Sequence, residues 1–125
     1  MLTSSMHGDE IAGYPMMLSL IDYILSVYGD TGHSDHIRIK NLVENAEIWI
    51  NPSANPDGTY NGSANNTSVV NARRGNGNNI DLNRNYPDNV AGAHYDGEVY
   101  QTETLAFMAL ADANHFVISA NFHGG

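Results

Sequence analysis

Three short β-favouring runs, each closed by a polar motif, constrain this chain more than any other feature. Leu2 to Met6 reads as the last residues of a strand and is followed by His7-Gly8-Asp9-Glu10. Ala46 to Ile50 is closed by Asn51-Pro52, and Phe116 to Asn121 runs into Phe122-His123-Gly124-Gly125. Between the first two runs, Met17, Leu18, Leu20, Ile21, Ile24, Leu25 and Tyr28 recur at helical spacing, which predicts a helix from about Ala12 to Tyr28. Pro15 belongs in its first turn, where a missing N–H is harmless. Ile37 to Val43 reads as a short helical turn. Thr102 is a candidate N-cap, with Glu103 favoured by the helix dipole, for a second helix ending near Asn114. The order strand, helix, strand, long loop, helix, strand is the alternation of an α/β fold with a largely parallel sheet.

In such sheets ligands gather at the carboxyl ends of the strands. All three polar motifs lie at those ends, so His7, Glu10 and His123 are expected to meet on one edge of the sheet. Two imidazoles and a carboxylate, with a fourth position left to water, are a donor set suited to catalytic zinc. There are no cysteines, so thiolate sites and disulfides are excluded and His, Asp or Glu must hold any metal. His33 and His36 lie in a polar loop with nothing nearby to complete a site, and are expected at the surface.

The 14 acidic and 5 basic residues give a net charge of -9, which disfavours nucleic acid and anionic membrane as partners. The positive charge is nevertheless concentrated. Arg73, Arg74 and Arg84 fall within a twelve-residue stretch that also carries Asp81 and Asn83. Planar guanidinium donors there suit a carboxylate or a developing oxyanion beside the metal. The segment from Pro52 to Asn79 is crowded with Asn, Gly, Ser and Asp, and only Thr67 to Val70 offers a possible strand. A loop of that length in a compact chain is functional or disordered. An EF-hand is excluded, because the loop's ligand spacing and closing Glu are missing. No apolar run is long enough to span a membrane, and the first residues lack the pattern of a signal peptide. A secreted or periplasmic location is the working expectation.

Four motifs carry a family resemblance. His7-Gly8-Asp9-Glu10, Asn55-Pro56-Asp57-Gly58, Asp81-Leu82-Asn83-Arg84-Asn85 and Asn121-Phe122-His123-Gly124-Gly125 resemble, in order, the successive motifs of the zinc metallocarboxypeptidases, nearest to the carboxypeptidase N/E branch. The resemblance implies a partial three-layer α/β/α fold, incomplete at both ends, with residues 1–125 forming part of the catalytic domain. It implies one zinc ion on His7, Glu10 and His123, and a peptide C-terminus as substrate, its carboxylate held by Asn83 and Arg84. It assigns Arg74 to polarising the scissile carbonyl, with Arg73 as competitor for that role. Asp81 would hydrogen-bond the second nitrogen of His7.

The family's general-base Glu and substrate-capping Tyr lie downstream of the second zinc-binding His, and no residue here matches them. The isolated chain is therefore expected to be catalytically silent. Two alternatives remain at this stage. One is a zinc amidohydrolase of the aspartoacylase or desuccinylase kind, whose motifs overlap these. The other is a zinc- or peptide-binding module without turnover.

Overall fold

The computed structural model describes residues 1–124, so Gly125 of the last motif lies outside the described residues. Three parallel strands form the sheet: β1 (Leu2–Ser4), β2 (Ile50–Asn51) and β3 (Ala120–Phe122), in the order β2-β1-β3. Leu2 lies opposite both Ile50 and Ala120, and Ser4 opposite Phe122. The α/β class and the parallel sheet are as the sequence predicts.

The strands are shorter than their apolar runs. Beside the paired residues, Leu2 N–H donates to Trp49 O at 2.8 Å, the Met1 amino group donates to Ile118 O at 2.7 Å, and Ala120 N–H donates to Met1 O at 3.0 Å. Ala46 to Ile48 and Phe116 to Ile118 lie outside the strands in spite of their β propensity.

Helix α1 (Gly13–Gly29) lies across the sheet and packs against α2 (His36–Asn45). Pro15 sits in the first turn as expected. A Cβ on Gly13 would fall 2.6 Å from Ser4 Cβ, so the first turn rests directly on β1. The Ile37–Val43 segment is a full ten-residue helix rather than a turn. Its buried Ile39 faces the interior, and Lys40 pairs with Glu44 one turn on. His36 corrects the expectation of a surface residue: it is buried, and its Nδ1 lies 3.1 Å from Val27 O, closing the C-terminus of α1. His33 is exposed as expected.

The long loop contains one helical turn, α3 (Pro56–Thr59), and no strand. Thr67 to Val70 is irregular. The Ser63 hydroxyl accepts the N–H groups of Thr67 and Ser68, and Val70 points to solvent. Helix α4 (Thr102–Asn114) begins one residue earlier than predicted. Gln101 is the N-cap, Thr102 the first helical residue, and no side chain caps the end. Phe107 of α4 and Tyr86 pack onto a small core of Met6, Ala54 and Leu82 just beyond the end of β1.

Candidate metal centre

After β1 the chain turns through Ser5, held at φ 54°, and carries His7 to the carboxyl edge of the sheet. Glu10 follows three residues later, in the turn before α1, where its N–H donates to His7 O at 3.1 Å. His123 stands just beyond the end of β3, whose pairing with β1 brings it alongside. The three side chains converge: His7 Nδ1 is 2.8 Å from Glu10 Oε1, His123 Nδ1 is 2.9 Å from Glu10 Oε2, and the two Nδ1 atoms are 3.2 Å apart. One ligand atom from each of the three lies within 4.8 Å of the others. The cluster is graded in exposure, with His7 buried, Glu10 half-buried and His123 open to solvent.

The donor set fits a zinc ion. Both imidazoles present the same nitrogen inward, and a carboxylate completes a set of hard and borderline donors without thiolate. The second nitrogen of His7 is spoken for, since Nε2 lies 3.0 Å from Asp81 Oδ1. A carboxylate at that place keeps the proton on Nε2 and the Nδ1 lone pair facing the site. Partial burial would raise the Glu10 carboxyl, but the Gly124 N–H and the rings of His7 and His123 outweigh it and hold Glu10 below its ordinary value. Asp81 follows the same pattern. Burial opposes ionisation, and the Arg74 guanidinium and His7 overcome it. Both acids are therefore carboxylates at neutral pH.

Arg74 and Arg73 part company. Arg74 Nε donates to Asp81 Oδ2 at 2.9 Å, and its Nη1 comes within 3.6 Å of Glu10 Oε1, so its guanidinium borders the cluster. Arg73 turns the other way and donates through Nη2 to the carbonyls of Asn76 and Gly77, pinning the loop. A cleft of about 400 Å³ opens between Asp9, Glu10, Ile11, Ala12, Arg74 and Gly124. Asn83 and Arg84 occupy a single 3-10 turn, Leu82–Arg84, started by Asp81 Oδ1 accepting the Asn83 N–H at 2.9 Å. Asp81 thus touches His7, Arg74 and Asn83 at once. The exposed Arg84 guanidinium donates only to the neighbouring Asn83 carbonyl at 3.1 Å and makes no ion pair among the described residues.

A family model for zinc carboxypeptidases matches residues 1–125. The chain belongs to the zinc carboxypeptidase family. It is 40% identical to mouse (Mus musculus) carboxypeptidase D over 121 residues, covering 97% of this chain and 8% of that protein. It is 40% identical to mouse carboxypeptidase M over 122 residues, with 98% of this chain and 26% of the relative covered. It is 32% identical to the carboxypeptidase N catalytic chain of the rat (Rattus norvegicus) over 139 residues, with 97% and 30% covered. The chain therefore spans less than a third of the length of these relatives. Zinc is the metal of this family. No helix among the described residues is long and apolar enough to cross a membrane.

Sequence reasoning missed the residues that hold this carboxypeptidase-family site in shape. Asn55 is fully buried. Its Nδ2 donates to Met6 O at 3.1 Å and Arg74 O at 3.4 Å, while Oδ1 caps α3 by accepting the Gly58 N–H at 2.9 Å. One carboxamide thereby joins the residue before His7 to the residue carrying the second guanidinium. Glycine permits the approach: a Cβ on Gly8 would lie 2.3 Å from the Gly58 carbonyl carbon and 2.6 Å from Arg73 O. Asn76 and Asn85 act similarly further along. Asn76 Oδ1 accepts the N–H groups of Asn78 and Ile80, and Asn85 Oδ1 accepts the Gln101 N–H and the Thr104 hydroxyl. Asn55 and Asn85 stand in motifs already quoted from the sequence, which do not say that their side chains turn inward, and for Asn76 the signal is a surplus of asparagine in the loop.

Proposed function

We propose that this chain forms the zinc-binding and carboxylate-binding part of a metallocarboxypeptidase that removes C-terminal residues from peptides. The observation that carries the reading is the meeting of His7, Glu10 and His123 from three separate parts of the chain, with Asp81 and Arg74 against them. His7, Glu10 and His123 hold the ion. When bound, zinc supplies Lewis-acid polarisation of the scissile carbonyl and an acidified water. Asp81 fixes the tautomer of His7 and steadies Arg74. Arg74, beside the cleft, donates hydrogen bonds to the carbonyl oxygen as negative charge develops on it, a kind of contribution worth about 10²- to 10³-fold in rate per donor. Asn83 and the unpaired Arg84 bind the terminal carboxylate, which is what directs cleavage to the last residue. Arg73 has no part in the chemistry, because its guanidinium is engaged with the loop backbone.

Zinc titration of the chain, followed by binding of an N-acylated dipeptide with a free C-terminus or a C-terminal amide, tests this. One zinc per chain is expected, with affinity falling more than about 100-fold in His123→Ala. The acid should bind at least about tenfold better than the amide, and Arg84→Ala should erase that difference. Unchanged zinc binding in His123→Ala, or equal binding of acid and amide, would overturn the reading.

A further inference from the structure

Asp81 orients His7, but among the described residues no carboxylate stands behind His123. The group at that place is Asn121, whose Nδ2 lies 3.1 Å from His123 Nε2. The two residues sit on the same side of the chain because alternate residues of an extended segment share a face. Asn121 Oδ1, on the other side of the same carboxamide, is buried without a hydrogen-bond partner. A buried carbonyl oxygen left unpaired costs about 1–3 kcal/mol, so this one marks a bond to be made.

The chemistry of the cluster says which bond. His123 faces Glu10 and His7 through Nδ1. To give that lone pair to a cation, the neutral ring must carry its proton on Nε2. An Nε2–H facing the Asn121 NH2 would set donor against donor. A half-turn of the carboxamide about χ2 exchanges its two ends, gives Oδ1 a donor and Nε2–H an acceptor, and gives up the 3.3 Å contact of Nδ2 with the Met6 sulfur, a weak acceptor. We propose that Asn121 is the positioning residue for His123, accepting the Nε2 proton through Oδ1 whenever Nδ1 is turned to the metal. Asn121 then does for the exposed ligand what Asp81 does for the buried one, with a neutral acceptor in place of a charged one. The inference rests on the zinc reading above and adds a residue to it.

Zinc alone is the probe, titrated into the 125-residue chain against a chromophoric chelator, with 15N spectra of the histidine rings recorded on the same samples. Asn121→Leu, similar in size but with no acceptor, should weaken zinc binding by about 10- to 100-fold, as loss of an outer partner does elsewhere. Asn121→Asp, which can only accept, should hold zinc at least as tightly as the wild type. In the zinc-loaded wild type the His123 proton should be found on Nε2 and exchange slowly, and in Asn121→Leu it should exchange fast. Asn121→Ser, which keeps a smaller acceptor, replaces Asn121→Leu if the latter does not fold, and should fall between it and the wild type. Wild-type zinc binding that survives in Asn121→Leu or Asn121→Ser, or that is lost in Asn121→Asp, overturns the assignment alone. So does a zinc-loaded wild type with the His123 proton on Nδ1. A wild-type chain that takes up no zinc overturns the zinc reading itself.

Discussion

The two ends of the sheet are built on opposite principles. At the carboxyl ends of the strands polar groups are buried: Ser4, Ser5, His7, Asn55, Asn76 and Asn85 are all withdrawn from solvent. At the amino ends apolar groups are exposed: Val117 is 97% and Ile118 76% accessible, and Trp49 meets Phe116 edge to face at the open rim. Among the described residues eleven buried side chains are polar and six are hydrophobic, so hydrogen-bond geometry rather than apolar packing defines this interior. A buried polar network is tolerable only when its members are satisfied, and then it specifies one arrangement. The comparison teaches that the buried polar contacts of this chain are concentrated around the site, while the opposite end presents apolar area to solvent.

Substitutions can break that contrast or sharpen it. The largest effect is expected for Gly8→Ala. The new methyl would meet the backbone of Gly58, Thr59 and Arg73 below 2.7 Å, forcing apart the segments that carry His7 and Arg74. A loss of about 3 kcal/mol in urea unfolding is expected, the upper end for overpacking. A loss below 1 kcal/mol would mean those segments are not held together. Next is Asn55→Ala, which strands a buried carbonyl at Met6 and uncaps α3. Its cost should be about 2 kcal/mol by the same measurement.

Tyr86, in the small core beneath the site, gives a pH test. Burial, with the nearby Glu103 carboxylate, pushes its phenol up to about 12. The unfolded chain gives up this proton near pH 10, so the folded state binds more protons between 10 and 12. The stability Tyr86 contributes is complete below pH 10 and is lost as pH rises towards 12. Tyr86→Phe should lessen the alkaline loss of stability by about 1–2 kcal/mol, after discounting for partial exposure. Superimposable stability-pH curves for the two proteins would show that this core is open to water. The smallest effect belongs to the other end of the sheet. Val117→Ser should change stability by less than about 0.5 kcal/mol, despite removing a β-branched apolar residue from a predicted strand. A larger loss would show that Val117 packs against the rest of the chain.

Much of this was legible in the sequence, and the parts that were not share a physical cause. Helix α1, the parallel order of strands, and the roles proposed for His7, Glu10 and His123 follow from local periodicity and from the rule that polar motifs gather at strand ends. Strand length was not legible, because a ladder extends only as far as a partner lies opposite. Ala46 to Ile48 and Phe116 to Ile118 lie outside the strands whatever their composition. The burial of His36 depended on the C-terminus of α1 arriving beside it.

The sequence by itself determined which residue types the site could use: imidazole and carboxylate for a metal, guanidinium and carboxamide for a carboxylate. Local motifs carry that chemistry, and their spacing survives any detail of packing. Only the tertiary structure distinguishes Arg73 from Arg74, which are adjacent and chemically identical, because direction in space separates them: one guanidinium reaches Asp81, the other the backbone of its own loop. It alone also showed what the side chains of Asn55, Asn76, Asn85 and Asn121 bond to. A carboxamide acquires its role from the donors and acceptors that folding places around it, and those come from residues up to 115 positions away.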